Sequence, residues 1–184
     1  MNRAVFLDRD GTINEDVGYL SDPDKIVIIK NAVPGLRLLQ NYGFKLIITT
    51  NQSGIARGYF DKNTLNRIHK KLRNIFLKEK IKFSAIYYCP HHPDDNCKCR
   101  KPELGMIEKA VKKFNLDLGK SFGIGDKLKD IEFVKKAGCK GILVLTGLGK
   151  KERKGIKELI PELKPDYIAK DLLDASKWII KNMV

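Results

Sequence analysis

The sequence predicts an α/β fold, a three-layer α/β/α sandwich in which helices cover both faces of a mostly parallel sheet. Short, almost continuously apolar runs alternate along the chain with amphipathic stretches of helical period. Polar segments that contain glycine follow several of the apolar runs. The length of 184 residues suits one domain with a sizeable core, so we expect residues 1–184 to form a single domain.

Six apolar segments are predicted to be β-strands. They are short and bounded by polar or turn-forming residues, and the sixth is expected at the edge of the sheet. The predicted strands are residues 4–7, 44–50, 84–88, 121–124, 141–145 and 166–169.

Five amphipathic stretches between the strands are predicted to be helices. Pro34-Gly35 opens the first, and Asp61 is a good N-cap for a long second helix that continues to about residue 79. The charged run Lys150–Lys157 is most simply a solvated helix or loop. The remaining helices are predicted at residues 104–114, 127–137 and 172–182.

The composition describes a basic chain without membrane features. The net charge is +14, from 36 basic and 22 acidic residues, but 28 of the basic residues are lysines and few aromatic residues lie among them. Surfaces that read nucleic acid favour arginine and aromatic side chains, so a nucleic-acid partner is not expected. No apolar run approaches the roughly 20 residues that span a bilayer, and the N-terminus does not resemble a signal peptide. We expect a cytoplasmic monomer without a membrane partner, whose positive field favours a phosphorylated small molecule.

Two acidic residues follow the first strand, in the segment Asp8-Arg9-Asp10-Gly11-Thr12. Side chains two positions apart at a strand end point in the same direction, and like charges at that spacing need a cation or a shared proton. Magnesium together with one protonated acid would meet this need. The pair then suits nucleophilic attack by one carboxylate on phosphorus, with the other as acid and then base. Alone, Asp-Gly also fits an ordinary turn.

The residues that follow two further strands also suit a site for phosphate and magnesium. The segment from Thr49 to Gly58 offers hydroxyl, amide and backbone donors that suit phosphate oxygens, although an ordinary polar loop would look the same. After the fourth strand, Asp126 is placed to complete a magnesium site with Asp8, and Asp130 lies one helical turn later. Ligands in parallel sheets bind beyond the carboxyl ends of strands, so these segments are expected to meet.

A cluster of thiols and imidazoles follows the third strand. Cys89, His91, Cys97 and Cys99 are spaced C-x-H-x5-C-x-C, and three thiolates with one imidazole match a closed, structural zinc site. His92 is a competing ligand. By contrast, His69 on the second helix is expected to be a surface or packed histidine, and the distant Cys139 a small buried apolar residue.

Two cations stand at the end of this zinc loop, which spans residues 89–101. Lys101 could neutralise a phosphoryl group, and Arg100 could grip a substrate phosphate with both of its outer nitrogens. A plain basic turn that ends at Pro102 is the simpler alternative.

The order Asp8-x-Asp10-Gly-Thr, Thr50, Lys101, Gly125-Asp126-x-x-x-Asp130 resembles the haloacid dehalogenase superfamily of phosphatases, over residues 4 to about 145. Within it, the segments 50–58, 88–93 and 99–106 resemble the zinc-loop subgroup of heptose bisphosphate phosphatases more than histidinol phosphate phosphatases. The resemblance implies a Rossmann-like fold of the capless type. Only 37 residues separate Thr12 from Thr50, which leaves no room for an inserted cap.

The resemblance also implies roles. Asp8 would be the nucleophile and Asp10 the general acid and base, while Thr50 and Lys101 would hold the phosphoryl oxygens. Mg²⁺ would be held by Asp8, Asp126 and the backbone carbonyl of Asp10, and structural Zn²⁺ by the four residues of the loop. The implied substrate-binding residues are Asp16, Val17, Gly18, Tyr19, Asn51, Gln52, Ser53, Arg100 and Lys127.

The activity implied is removal of the C7 phosphate of D-glycero-D-manno-heptose 1,7-bisphosphate, in the synthesis of nucleotide-activated heptose for lipopolysaccharide core or other surface glycans. Two alternatives remain at this stage. One is histidinol phosphate hydrolysis in histidine synthesis. The other is repair of nucleic-acid ends, because capless polynucleotide 3′-phosphatases share a similar Thr-Asn-Gln segment.

Overall fold

Six strands form one sheet in the computed structural model, which describes residues 1–183. Every pairing between them is parallel, and each strand lies within one or two residues of its predicted position. The strands are β1 (Ala4–Leu7), β2 (Lys45–Asn51), β3 (Phe83–Cys89), β4 (Phe122–Gly125), β5 (Lys140–Val144) and β6 (Tyr167–Ala169).

The five predicted helices are present, and a short sixth lies in the charged run. Asp61 caps the second helix, since its carboxylate accepts a hydrogen bond from Thr64 N at 2.7 Å. The first helix begins two residues before Pro34, because proline is tolerated in the first turn, where backbone N–H groups have no helical partner. The helices are α1 (Ala32–Asn41), α2 (Lys62–Lys78), α3 (Gly105–Phe114), α4 (Leu128–Lys136), α5 (Gly149–Glu152) and α6 (Leu172–Asn182). Short 3₁₀ segments lie at Pro23–Lys25, Pro93–Asp95, Leu118–Lys120, Arg153–Glu158 and Pro161–Leu163.

The alternation of side chains along the strands builds two apolar layers, one on each face of the sheet. On β1, Val5 and Leu7 face a cluster completed by α1, α2 and α6, while Ala4 and Phe6 face a second cluster completed by α3 and α4. The fold is therefore the predicted α/β/α sandwich. Among residues 1–183, no helix has both the length and the apolar character to span a bilayer.

The strand order, β3-β2-β1-β4-β5-β6, reverses its direction of growth between β1 and β4. These two strands are hydrogen-bonded neighbours, and Asp8 N donates to Ile124 O at 3.0 Å just beyond β1. Open parallel sheets bind ligands beside such a reversal, outside the carboxyl ends of the strands. The segments that follow β1 and β4 therefore define the place to search for a site.

Candidate active site

Three buried carboxylates meet where β1 and β4 end. Asp8 follows β1, Asp126 follows β4, and Asp130 lies in the first turn of α4. One oxygen of each lies within 4.8 Å of the others. Burial, and then the charge of Asp8, raises the pKa of Asp126 to about 8. Burial raises the pKa of Asp8 to about 6 in spite of the nearby Lys101.

Lys101 supplies the positive charge of this cluster. Its buried ammonium lies 2.7 Å from Asp8 Oδ1 and 2.5 Å from Asp130 Oδ1, and it also donates to Thr49 O at 2.8 Å. Burial lowers the pKa of Lys101, but the charges of Asp130 and Asp8 outweigh burial and the net pKa is raised. The lysine is therefore held as a cation that faces the side chain predicted to be the nucleophile.

Asp10 is turned toward Arg9 and not into the three-carboxylate cluster. The guanidinium of Arg9 binds it through two nitrogens, with Nη2 2.7 Å from Oδ2 and Nε 3.0 Å from Oδ1. Burial raises the pKa of Asp10, but the charge of Arg9 and hydrogen bonds from Arg9, Asn14 and Gln52 lower it overall. This arrangement favours ionised Asp10 and differs from the protonated acid expected from sequence, because the expectation took no account of Arg9.

The end of β2 and the segment after it turn their polar side chains inward. Thr50 is buried, and its hydroxyl accepts a hydrogen bond from Gln52 Nε2 at 2.8 Å. The side-chain amide of Asn51 pairs with the backbone of Lys101, with Oδ1 3.1 Å from Lys101 N and Nδ2 3.3 Å from Lys101 O. Asn51 therefore holds the backbone of Lys101 in place, and Gln52 holds the hydroxyl of Thr50. Ser53 is half-buried in the following turn, where its carbonyl accepts from Arg57 N.

The loop after β5 also belongs to the site, although no sequence motif placed it there. Leu148 N donates to Asp126 Oδ2 at 2.8 Å, and Thr146 Oγ1 donates to Gly11 O at 2.6 Å. Gly11 and Gly147 have φ values of +85° and +52°, and a Cβ on either would lie within 2.3 Å of Asp126 Oδ2. Small residues are therefore required on both sides of this carboxylate. In the sequence, the only indication that this loop belongs to the site is the two glycines that follow β5.

The predicted substrate-binding segment from Asp16 to Tyr19 borders a cleft of about 750 Å³. Asp16 and Gly18 line this cleft, opposite the loop that holds Asp126. Val17 and Tyr19 are exposed. Lys127 lies 3.0 Å from Asp16 Oδ2, so the segment is tied to the start of α4.

Arg100 lies on the other side of Lys101. Its Nη1 donates to His91 O at 3.2 Å, and the residue lines a second cavity of about 370 Å³. Lys101 and Lys129 border the same cavity. The two predicted cations thus occupy neighbouring positions, but only Lys101 points into the carboxylate cluster.

The four donors of the zinc loop form a compact cluster. Cys89 Sγ lies 3.5 Å from Cys97 Sγ and 3.6 Å from His91 Nδ1, Cys97 Sγ lies 3.6 Å from Cys99 Sγ, and His91 Nδ1 lies 3.2 Å from Cys99 Sγ. A tetrahedron with Zn–S bonds of about 2.3 Å has edges of about 3.8 Å, so the cluster is compatible with zinc. His92 lies outside it and caps the Pro93–Asp95 turn.

The carboxylate cluster meets the requirements of a hard divalent cation. Oxygen donors dominate it, and among residues 1–183 Asp126 Oδ1 is a buried atom without a hydrogen-bond partner. A cation between Asp8 and Asp126 would satisfy that atom and offset the burial and the charge of Asp8 that raise the pKa of Asp126. The residues present therefore fit magnesium.

His69 and Cys139 lie outside both metal clusters. Cys139 is buried in the apolar layer under α3 and α4, as expected for a packing residue. His69 is buried on α2, but its Nε2 lies 3.2 Å from Arg9 Nη1 instead of packing only against apolar groups.

Comparisons with known proteins find a matching family model and several similar sequences. A family model described as HAD-hydrolase-like matches residues 98–175. A protein of Pasteurella multocida (strain Pm70), D-glycero-beta-D-manno-heptose-1,7-bisphosphate 7-phosphatase, is 38% identical over 175 residues, or 89% of this chain and 95% of that protein. A probable D-glycero-D-manno-heptose-1,7-bisphosphate 7-phosphatase of Thermoplasma acidophilum is 45% identical over 125 residues, or 68% and 78% of the two chains.

A solved structure extends the likeness to three dimensions. The D,D-heptose 1,7-bisphosphate phosphatase of B. bronchiseptica, complexed with magnesium and phosphate, superposes with a TM-score of 0.88 at 33% identity. The superposition covers 97% of this chain and 98% of the other.

Proposed function

Because the chain belongs to the heptose bisphosphate phosphatase family of haloacid dehalogenase-like hydrolases, we propose that it hydrolyses the C7 phosphate of D-glycero-D-manno-heptose 1,7-bisphosphate. One observation carries the proposal. Asp8, Asp126 and Lys101 converge at the end of β1, in a chain that superposes on a phosphatase holding magnesium and phosphate.

The positions of Asp8, Lys101 and Asp126 support hydrolysis through an aspartyl phosphate. A carboxylate oxygen of Asp8 attacks phosphorus while the bond from phosphorus to the C7 oxygen breaks. Asp10, which is ionised in the free protein, takes up a proton before this step and gives it to the leaving oxygen. Water then gives a proton to Asp10 and attacks the aspartyl phosphate, so the bond from Asp8 to phosphorus breaks and inorganic phosphate leaves. Thr50 and Lys101 hold the oxygens on which charge develops.

Asp8, Asp126 and the backbone carbonyl of Asp10 would hold Mg²⁺, which neutralises phosphoryl charge when bound. Zn²⁺ in the loop of residues 89–101 would be structural.

The remaining predicted residues surround the sugar in this proposal. Arg100 would bind the phosphate at C1, which the reaction leaves in place. Residues 16–19, 51–53 and Lys127 would form the rest of the pocket, and a cleft at residues 16–18 supports this assignment. The product, a heptose 1-phosphate, would supply nucleotide-activated heptose synthesis for lipopolysaccharide core or other surface glycans. The proposal includes a single capless domain that acts as a cytoplasmic monomer.

The test is phosphate release with magnesium from the α and β anomers of the heptose bisphosphate, histidinol phosphate and a 3′-phosphorylated oligonucleotide. Asp8→Asn protein serves as the blank. We expect a strong preference for a heptose bisphosphate, with the β anomer as first candidate because several relatives are named for it. Preference for histidinol phosphate or the oligonucleotide would overturn the substrate and leave the phosphatase chemistry in place.

A further inference from the structure

Glu152 on α5 is joined by hydrogen bonds to the turn that carries Asp126. Its Oε2 accepts from Leu128 N at 2.9 Å, and its own backbone N–H donates to Leu148 O at 3.0 Å. Leu148 N in turn donates to Asp126 Oδ2 at 2.8 Å. Because Leu128 lies two residues after Asp126, these three hydrogen bonds and the chain between them form a closed ring. Glu152 has no part in the chemistry proposed above, yet its side chain completes this ring.

The ring bears on the orientation of the Asp126 carboxylate. Its Oδ2 accepts from Leu148 N, whereas Oδ1 is buried and has no hydrogen-bond partner among residues 1–183. The oxygen without a partner is the one that a cation between Asp8 and Asp126 would satisfy. A donor on the other oxygen fixes the rotation of a carboxylate, and metal ligands depend on such support. Displacement of Leu148 N would therefore free Asp126 to turn away from the cation.

The position of Leu148 depends on what holds α5. This helix has four residues, too few to be stable through its own hydrogen bonds. At its start, Gly149 lies so close to Val144 O that a Cβ on the glycine would clash. At its end, Glu152 reaches Leu128 N, in the first residue of α4. Loss of the Glu152 side chain would leave α5, and Leu148 N with it, anchored at one end only.

We propose that Glu152 is a positioning residue of the magnesium site, which anchors α5 to α4 so that Leu148 N stays on Asp126 Oδ2. The inference rests on Asp126 as a ligand of Mg²⁺, as in the proposed function, but not on the identity of the sugar. A carboxylate is a strong acceptor for a backbone N–H. The half-buried position of Glu152 limits the competition of water for this contact.

The charge of Glu152 offers a second explanation for the same contact. Negative side chains near the first turn stabilise a helix through its dipole, and this effect does not need a fixed hydrogen bond. Two conservative variants separate the explanations. Glu152→Gln keeps the length and an acceptor oxygen but removes the charge, whereas Glu152→Asp keeps the charge but is shorter by one methylene group. If the hydrogen bond positions Asp126, glutamine replaces Glu152 and aspartate does not.

The test is magnesium binding to the full chain, measured by isothermal titration calorimetry after dialysis against magnesium-free buffer. We expect Glu152→Ala to weaken binding about tenfold, the lower end of the range for residues that support metal ligands. Glu152→Gln should restore most of the affinity. Unchanged affinity in Glu152→Ala, or lost affinity in Glu152→Gln, would overturn the proposal. A wild type that binds no magnesium would overturn the proposed cofactor as well.

Glu158→Ala is the matched control, because Glu158 is exposed in the 3₁₀ segment that follows α5 and carries the same charge. Its magnesium affinity should equal that of the wild type, and an equal loss would point to overall charge and overturn the proposal. If Glu152→Ala does not fold, the comparison of Glu152→Gln with Glu152→Asp decides alone. We expect tighter binding in the glutamine variant, and equal affinities or the reverse order would contradict the positioning role.

Discussion

Replacement of Asp126 by asparagine is expected to stabilise the metal-free protein while it impairs catalysis. Asp126 is buried beside Asp8 and Asp130, and its pKa is raised from 3.8 to about 8 by burial and then by Asp8. An acid whose pKa is higher in the folded state destabilises the fold when it ionises. The destabilisation is absent below the unfolded pKa near 3.8 and grows until the pH reaches about 8.

The size of the effect follows from this shift. About four pK units at 1.36 kcal/mol each set a ceiling of about 6 kcal/mol at pH 8. Asparagine keeps an oxygen that can accept from Leu148 N, the present partner of Asp126 Oδ2. The asparagine amide is itself a buried polar group, so only part of the ceiling is recovered. We expect the free energy of unfolding at pH 8 to rise by about 2–4 kcal/mol in the variant.

The measurement is urea unfolding of protein dialysed free of magnesium, without a chelator, at pH 5 and pH 8, so that zinc is not stripped from its loop. The gain should be larger at pH 8, and excess magnesium should remove it because only the wild type keeps all its ligands. Asp130→Asn is the matched control. It makes the same chemical change, but Asp130 lies 2.5 Å from Lys101 Nζ, so that variant should lose stability. A shift of both variants in the same direction would refute the reasoning.

Three further changes test other parts of the site. Cys99→Ser removes one of three thiolates two residues before Lys101, and we expect lower zinc content by elemental analysis, a lower Tm and slower phosphate release. Gly147→Ala places a Cβ 2.3 Å from Asp126 Oδ2, so a magnesium titration of activity should need about tenfold more metal. Asn51→Ala removes two hydrogen bonds to the backbone of Lys101, and steady-state kinetics should show kcat about tenfold lower with a smaller change in KM.

The sheet and the convergence of the acids could be predicted from sequence because both depend on local patterns. Apolar runs of strand length mark the strands, and the carboxyl ends of parallel strands share one edge. The acids that follow β1 and β4 were therefore expected on that edge. The strand order could not be predicted from local patterns, because the crossover that places β4 beside β1 depends on contacts between residues distant in sequence.

Side-chain direction at the site was less predictable. Arg9 in the sequence is a charged residue between two acids, which indicates a solvated position, yet its side chain is buried under the acids. Asn51 and Gln52 are predicted to bind the substrate, and in the structure their amides also bind the Lys101 backbone, Arg9 and Asp10. These contacts could not be predicted, because polar residues that hold other polar residues in place have the same sequence pattern as residues that bind ligands.

The position of the zinc loop explains how a short chain can hold a buried lysine between two acids. Lys101 must keep its ammonium within hydrogen-bond distance of Asp8 and Asp130, although it lies on a connection and not on a strand. Its backbone is fixed by Asn51 from β2 and by the four-donor cluster, which ends two residues earlier at Cys99. A closed metal site at this cluster would supply this rigidity without additional apolar core. Loss of zinc should therefore displace the lysine before it unfolds the sheet. Activity measured in excess magnesium should fall at concentrations of a zinc chelator that leave the helical circular dichroism intact.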